Sequence, residues 1–166
     1  MVLKWIVGST EYSLSDRSLC YLLSRENLGM APIIRLEEQG PLQNGVTDRG
    51  YRYEARVIIL SLGIKGSDET DFYSKRSTLI GAFKADGNPG ILRFTTGSLV
   101  REIEGHTVGN SLSMNDSESE YLWQVCPVAI KCPDPRWYDP EMHTVTFNLG
   151  GGDDKFEVPY EVPYKI

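Results

Sequence analysis

The feature that most constrains the fold is the alternation of side chains along residues 51–64. One face of this segment carries Tyr51, Tyr53, Ala55, Val57 and Ile59. The other carries Arg52, Glu54, Arg56, Ile58, Leu60 and Leu62. A period of two over this length predicts a single long β-strand. Because the second face begins charged and ends apolar, we expect the strand to start in solvent and to run beneath another element.

Shorter strand patterns occur before and after this segment. They cover residues 3–7, 32–36, 91–94, 99–104, 121–132 and 143–149, with a further apolar run at 19–23. The strand at 121–132 is expected to direct Leu122, Cys126, Val128 and Ile130 inward. Residues 40–50, with an Asn-Gly pair and several turn formers, predict a loop or hairpin tip, and residues 95–98 a tight hairpin. The polar stretch 110–120 predicts a solvated loop.

Only one segment has a convincing helical pattern, at about residues 68–85. Ser67 or Asp68 is placed to cap it, and Asp68, Glu69 and Asp71 supply the negative charge that a helix N-terminus favours. An apolar stripe is expected to pack on the sheet; it comprises Phe72, Leu79, Ile80 and Phe83. The fold class predicted is therefore mainly β with one α-helix.

Charge and composition exclude several functional classes. The formal net charge of -6 argues against specific nucleic-acid binding, and the longest apolar run, residues 57–60, is too short to insert in a membrane. Cys20, Cys126 and Cys132 are an odd number without tight spacing, which favours buried reduced thiols in a cytoplasmically made protein over disulfides or a zinc site.

No motif for catalysis or cofactor binding is present. The sequence has no nucleophile elbow, phosphate-binding loop or dinucleotide fingerprint. Asp134 and Asp139 form a conceivable carboxylate pair, but among prolines and aromatics aspartate commonly fixes turns. His106 is predicted to be a surface residue of a hairpin. We therefore predict no catalytic, cofactor-binding or metal-binding residue and no enzyme activity.

The most distinctive segment lies at residues 132–140, where a long strand breaks into two Asp-Pro steps separated by an aromatic pair. The motif residues are Asp134, Pro135, Trp137, Tyr138, Asp139 and Pro140. This segment resembles the end of the N-terminal domain in distal tail proteins of long-tailed, non-contractile (siphovirus-type) bacteriophages. The loop and strand from Gly45, the helix containing Phe72 and the small hairpin at 92–103 follow in the order of that family, so the resemblance covers about residues 32–140.

The resemblance implies a β-sandwich or barrel related to phage tail-tube proteins. It also implies a homohexameric ring at the tail tip of the virion, assembled in the bacterial cytoplasm. Its expected partners are the tail tube, the tape-measure protein and the hub or baseplate with its receptor-binding apparatus. We expect a ring-forming domain at residues 1–141, and at 142–166 a C-terminal arm or the start of a truncated second domain.

Two structural roles follow as hypotheses. Trp137 and Tyr138 are predicted to pin the chain where the prolines end the strand. An acidic ring would repel DNA phosphates from its lumen, with contributions from Glu37, Glu38, Asp48 and Glu54.

Three other functions remain open. The first is a stand-alone carbohydrate-binding β-sandwich, which would use exposed aromatics such as Trp123, Trp137 and Tyr138. The second is another tail-tube-like component of the tail, and the third is an enzyme fragment.

Overall fold

The computed structural model describes residues 2–84, 88–109, 111–112 and 122–141, together with the backbone of 144–147 and 156–159. It is 52% strand, its sheets are antiparallel, and one helix occurs in the described part, which confirms the predicted fold class. The strands are β1 Val2–Val7, β2 Thr10–Ser13, β3 Tyr21–Glu26, β4 Ile33–Glu38, β5 Thr47–Tyr53, β6 Arg56–Lys65, β7 Gly90–Thr96, β8 Leu99–Thr107, β9 Trp123–Cys132, β10 Thr144–Phe147 and β11 Phe156–Pro159; the helix is α1 Glu69–Ala82.

The main sheet has seven strands in the order β2-β1-β7-β8-β9-β6-β3. Strand β8 pairs with β7 along most of its length but with β9 only through His106 and Thr107. The sheet therefore folds over at β8. Side chains from both halves, such as Trp5 and Leu92 from one and Leu60 from the other, meet in a single buried core.

Strands β6 and β9 are the best paired strands of the core. Ten residue pairs link them in register from Arg56↔Cys132 to Lys65↔Trp123. The alternation predicted for β9 is confirmed at the buried residues Cys126, Val128 and Ile130. Leu122 is partly buried and packs against the core, as predicted, but it precedes the strand, in a turn with a φ of 63°.

The prediction of one strand over 51–64 is wrong, because the chain breaks at Glu54 and Ala55. The backbone N–H of Glu54 donates to the carbonyl of Pro32, which closes the separate two-stranded sheet of β4 and β5. Strand β6 then starts buried rather than in solvent, since Arg56 is only 2% exposed. The predicted loop 40–50 is likewise too long, because strand β5 already begins at Thr47.

The helix begins as predicted. Asp68 caps it by accepting a hydrogen bond from the backbone N–H of Asp71. Phe72, Leu79 and Phe83 are buried. Ile80 is 45% exposed, so its assignment to the packed stripe is wrong; it lies one residue, about 100° of helical rotation, beyond Leu79.

Trp5 joins the helix to the sheet. Its ring stacks on Phe83 at a centroid distance of 5.4 Å. Its Nε1 donates to the carbonyl oxygen of Ala82 over 2.8 Å, and so satisfies one of the carbonyls that a helix end leaves without a partner. This tryptophan therefore fixes the end of α1 over β1.

The remaining predictions have mixed outcomes. The tight hairpin at 95–98 is confirmed between β7 and β8, with Gly97 at a φ of 58°. Cys20, Cys126 and Cys132 are buried free thiols, as predicted. The strand expected at 143–149 is observed at Thr144–Phe147, paired with β11. Most of the loop expected at 110–120 lies outside the described residues.

Candidate assembly site

The segment that follows β9 is organised around Asp134. Its carboxylate accepts hydrogen bonds from Nε and Nη2 of Arg136, both at 3.0 Å, and from the hydroxyl of Tyr138. These contacts, with that of Arg136 the largest, lower the pKa of Asp134 to about 2. Asp134 thus stays ionised and holds the turn in place, as aspartate commonly does in turns.

Trp137 attaches this segment to distant parts of the chain. Its side chain is buried, and its Nε1 donates to the carbonyl oxygen of Leu28 at 3.2 Å. Its ring lies 6.3 Å from that of Phe94, and the guanidinium of Arg56 lies 6.0 Å from the ring centroid. The tryptophan therefore contacts three separate stretches of sequence.

Arg56 completes this cluster from the start of β6. Its Nη1 donates to the carbonyl oxygen of Asn27 at 3.2 Å, while the Asn27 side-chain amide donates to the carbonyl of Val57 at 2.8 Å. Burial lowers the pKa of the Arg56 guanidinium. The loop after β3, the start of β6 and Trp137 are therefore joined by side chains at the root of the β4–β5 hairpin.

Tyr138 and Asp139 bind the free edge of β8. The backbone N–H and carbonyl of Tyr138 pair with those of Glu102, both at 2.8 Å. Asp139 accepts from Nη1 of Arg101 at 2.8 Å, and Arg101 is only 8% exposed. Because Asp134 and Asp139 each bind a different arginine, the structure does not join them as a pair of carboxylates sharing a proton. Pro135 is buried within this segment and Pro140 is exposed at its end.

The β4–β5 hairpin is the least covered part of the described chain. Every residue of its two strands except Ile34 and Gly50 is exposed. The stretch 30–53 holds seven of the fourteen exposed large apolar side chains in the described part. Tyr51 and Tyr53 lie on the same face, with ring centroids 5.6 Å apart. Such a surface is typical of a protein–protein contact.

The four acidic residues expected at a lumen all lie on or beside this hairpin. Glu38 pairs with Arg49 at 2.6 Å, and Asp48 with Arg35 at 3.3 Å. Glu37 and Glu54 are exposed and make no ion pair with any residue in the described ranges. Of these four acidic residues, Glu37 and Glu54 are therefore the two whose charge is not compensated by a neighbouring arginine.

Among the described residues, no group of three or more His, Cys, Asp or Glu is arranged to hold a metal ion. His106 is exposed on β8, opposite Lys131. Burial raises the pKa of Cys20 and of Cys126 to about 12, so both thiols stay protonated at neutral pH. No helix in the part of the chain with assigned structure is long and apolar enough to cross a membrane.

Two residues of the site were not anticipated from the sequence. The alternation predicts Arg56 near a solvated strand end, whereas it is buried, and Leu28 contributes through its backbone carbonyl, which no side-chain pattern indicates. For Arg56, a signal was present. It has the same parity as the apolar series from Ile58 to Leu62, which places it on the buried face.

Comparison with solved structures shows that the fold is similar to those of proteins from phage tails and baseplates. The fold is similar to that of the crystal structure of the Dit protein (gp 19.1) of phage SPP1, described as a paradigm of the hub adsorption apparatus in phages infecting Gram-positive bacteria. The TM-score is 0.62 at 13% identity, over 98% of this chain and 76% of that one.

It is also similar to chains in two structures of the phage p2 baseplate in its activated conformation, one with Sr and one with Ca. The TM-scores are 0.71 and 0.66 at 9% identity, over 91% and 92% of this chain. The chain spans about half the length of those baseplate chains, 50% and 51%. No curated protein sequence matches it.

A family model described as the phage tail protein RIFT-related domain matches residues 13–131. This match covers most of the chain and includes strands β3 to β9 almost completely. The phage tail family indicated by the sequence motif is therefore confirmed. The chain belongs to the phage tail proteins with a RIFT-related domain.

Proposed function

We propose that this chain is a distal tail protein that forms a hexameric ring, joining the tail tube to the hub or baseplate and its receptor-binding apparatus. The observation that carries the proposal is the fold, which aligns over 98% of the chain with a Dit protein described as part of a hub adsorption apparatus. The relatives are structural tail and baseplate proteins, and we propose that this chain too is structural rather than catalytic.

The described residues support an assembly role better than sugar recognition. Carbohydrate binding would need exposed aromatic rings, whereas Trp137 is 7% exposed and Tyr138 is half-buried and bound to Asp134. The exposed aromatic pair, Tyr51 and Tyr53, instead belongs to a hairpin that lacks a core of its own. An isolated two-stranded hairpin is only marginally stable in water, so such an element favours a partner surface.

We further propose that residues 1–141 are the ring-forming domain and that 142–166 begin a C-terminal arm or a second domain. The segment 133–141, which leads from one to the other, is held by the Asp134, Trp137 and Asp139 contacts. In this reading the tail tube and tape-measure protein lie on one side of the ring and the hub on the other, within the virion.

The test is the solution mass by light scattering across a concentration series, followed by imaging. A species of six times the 18.7 kDa chain mass that appears as a ring supports the proposal. A chain that remains monomeric at the highest concentration reached overturns the claim that it forms the ring by itself.

A further inference from the structure

We infer that Asn44 is a site of spontaneous covalent modification, at which the side-chain amide is lost and a carboxylate takes its place. Asn44 and Gly45 lie at the tip of the β4–β5 hairpin, in the loop closed by the last residue pair of its strands, Glu38↔Thr47. This inference concerns the free chain and does not depend on the proposed ring. Its consequence is a hairpin whose charge depends on the age of the chain.

The residue that follows Asn44 distinguishes it from the other asparagines. Of the six asparagines in the sequence, only Asn44 is followed by glycine. An asparagine side chain is attacked by the backbone nitrogen of the next residue, and a Cβ on that residue hinders the approach. Gly45 has no Cβ, its φ is 83°, and nothing lies within 4 Å of the position that a Cβ would occupy. The nitrogen is therefore open to the reaction.

The structure also leaves both reacting groups without other contacts. Asn44 and Gly45 are exposed, and neither the Asn44 side chain nor the Gly45 N–H forms a hydrogen bond with another described residue. The loop is held instead by Gln43, whose Oε1 accepts from the Gly40 N–H and whose Nε2 donates to the Thr47 hydroxyl, both at 2.9 Å. The Asn44 side chain can therefore turn towards the next nitrogen while the rest of the loop stays in place.

The reaction is an internal substitution at the side-chain carbonyl. The Gly45 nitrogen loses its proton to hydroxide and bonds to Cγ of Asn44, and the Cγ–Nδ2 bond breaks as ammonia leaves. The product is a cyclic succinimide, which water opens at either of its carbonyls. One opening gives aspartate, and the other gives isoaspartate, in which the main chain runs through Cγ. Nothing is oxidised or reduced, and water is the only co-reactant.

The product adds negative charge to a surface that is already acidic. Glu37, Glu38 and Asp48 belong to the same hairpin, and the formal net charge of the chain is -6. The fold itself should be unaffected, because the tip at residues 39–46 contains no buried residue. Fresh and aged chains would therefore share one fold and differ in the charge of the least covered surface.

Two other asparagines serve as controls within the same molecule. Asn27 is exposed like Asn44, but its amide donates to a backbone carbonyl of β6 at 2.8 Å and the bulky Leu28 follows it. Asn88 is exposed too, but it precedes Pro89, whose nitrogen has no proton to lose and cannot close the ring. Exposure alone would give three similar rates, whereas the geometry predicts one fast site.

The first experiment incubates the full chain at neutral and at mildly alkaline pH. Peptide mapping by mass spectrometry locates the deamidated residues, and an isoaspartyl methyltransferase with labelled S-adenosylmethionine measures the isoaspartate. Asn44 should react about tenfold or more faster than Asn27, because its side chain can reach the attacking nitrogen. Its rate should increase with pH, and Asn88 should stay intact. Equal rates at Asn44 and Asn27 would overturn the inference.

The second experiment separates the structure from the sequence with a synthetic peptide of residues 39–47. The peptide carries the same Asn-Gly pair without the hairpin. Asn44 in the folded chain should react within about tenfold of the peptide rate, because the loop leaves its side chain free. A greater slowing in the folded chain would show that the loop prevents ring closure, and the inference would then be wrong.

Two variants complete the test. Asn44→Gln has a longer side chain that closes a less favourable ring, and it should remove most of the isoaspartate that the aged chain accumulates. Asn44→Asp should reproduce the charge of the aged chain on isoelectric focusing and keep the melting temperature of the fresh one. An isoaspartate total that Asn44→Gln leaves unchanged would place the reaction elsewhere in the chain and refute the assignment.

Discussion

The indole Nε1 of Trp137 donates a hydrogen bond to the carbonyl oxygen of Leu28 across 109 positions of sequence, at 3.2 Å. Leu28 lies in the loop before the β4–β5 hairpin, and Trp137 lies beyond the end of β9. The same ring packs near Phe94 and Arg56. One side chain therefore fixes the root of the hairpin relative to the segment that leads out of the domain.

Replacing Trp137 tests this connection. Trp137→Phe keeps a ring but leaves the Leu28 carbonyl without its donor, which should lower the free energy of unfolding by about 1–2 kcal/mol. Trp137→Ala also leaves a cavity and should cost about 3–5 kcal/mol. Urea denaturation measures both. The control is Tyr73→Phe at an exposed position, whose free energy of unfolding should stay within about 0.5 kcal/mol of the wild type. A Trp137→Phe variant that is as stable as this control would contradict a stabilising role for the Trp137–Leu28 hydrogen bond.

Asp139 and Asp134 provide a matched pair of acidic positions. Asp139→Ala removes a partner of Arg101, whose side chain is 10% exposed, and should destabilise the fold by about 3 kcal/mol because a charge remains buried. Asp134→Ala breaks a pair in which both side chains are more than 40% exposed, and should cost less than about 1 kcal/mol from that ion pair. If thermal or chemical unfolding shows that the two substitutions lower the free energy of unfolding equally, this ranking is wrong.

Acid titration isolates the contribution of Asp134. Its folded pKa of about 2 lies below the unfolded value of about 3.9, so its stabilising effect is complete above about pH 4 and disappears as the pH falls towards 2. The difference in unfolding free energy between wild type and Asp134→Asn should shrink over this window. Because the Asp134 side chain is partly exposed to solvent, its total contribution to the unfolding free energy should be small. A difference that stays constant from pH 5 to about pH 2 would exclude the linkage.

Gly90 lies against the ring of Trp5, so that a Cβ at this position would overlap the indole. Gly90→Ala should therefore displace Trp5 from its contacts with Phe83 and Ala82 and cost about 1–3 kcal/mol. Gly81→Ala is the control. Gly81 lies in α1 with open space around it, and alanine there should stabilise the helix by about 0.5–1 kcal/mol. The two melting temperatures should move in opposite directions.

Much of the fold follows from local patterns. The capping by Asp68, the alternation in β9 and the turn at Gly97 are dictated by neighbouring residues, and the structure agrees with all three. The phage tail family can also be predicted from the sequence, because the Asp-Pro segment has an unusual arrangement of residues.

The wrong predictions arise where tertiary contacts override the side-chain periodicity of a local segment. The alternation through Tyr53 and Arg56 continues without a visible interruption, yet the chain changes sheets there because Glu54 pairs with Pro32 rather than with β9. Ile80 has the spacing of the helix stripe, but the sheet covers only the side of Leu79. Likewise, the ion pairs of Glu38 and Asp48 depend on the register of a hairpin whose tip is shorter than the turn signals indicate.

Strand β8 takes part in both halves of the folded sheet, through β7 over most of its length and through β9 at His106 and Thr107. Neither half can lose this strand without opening the other, so the amide protons that β8 donates to β7 and β9 should exchange only when the whole domain unfolds. The amides of β4 and β5 belong to a sheet of two strands and should exchange through local openings. A newly made chain would thus have a rigid body while its β4–β5 hairpin still opens and closes, so that protection of the hairpin amides would be the last to develop.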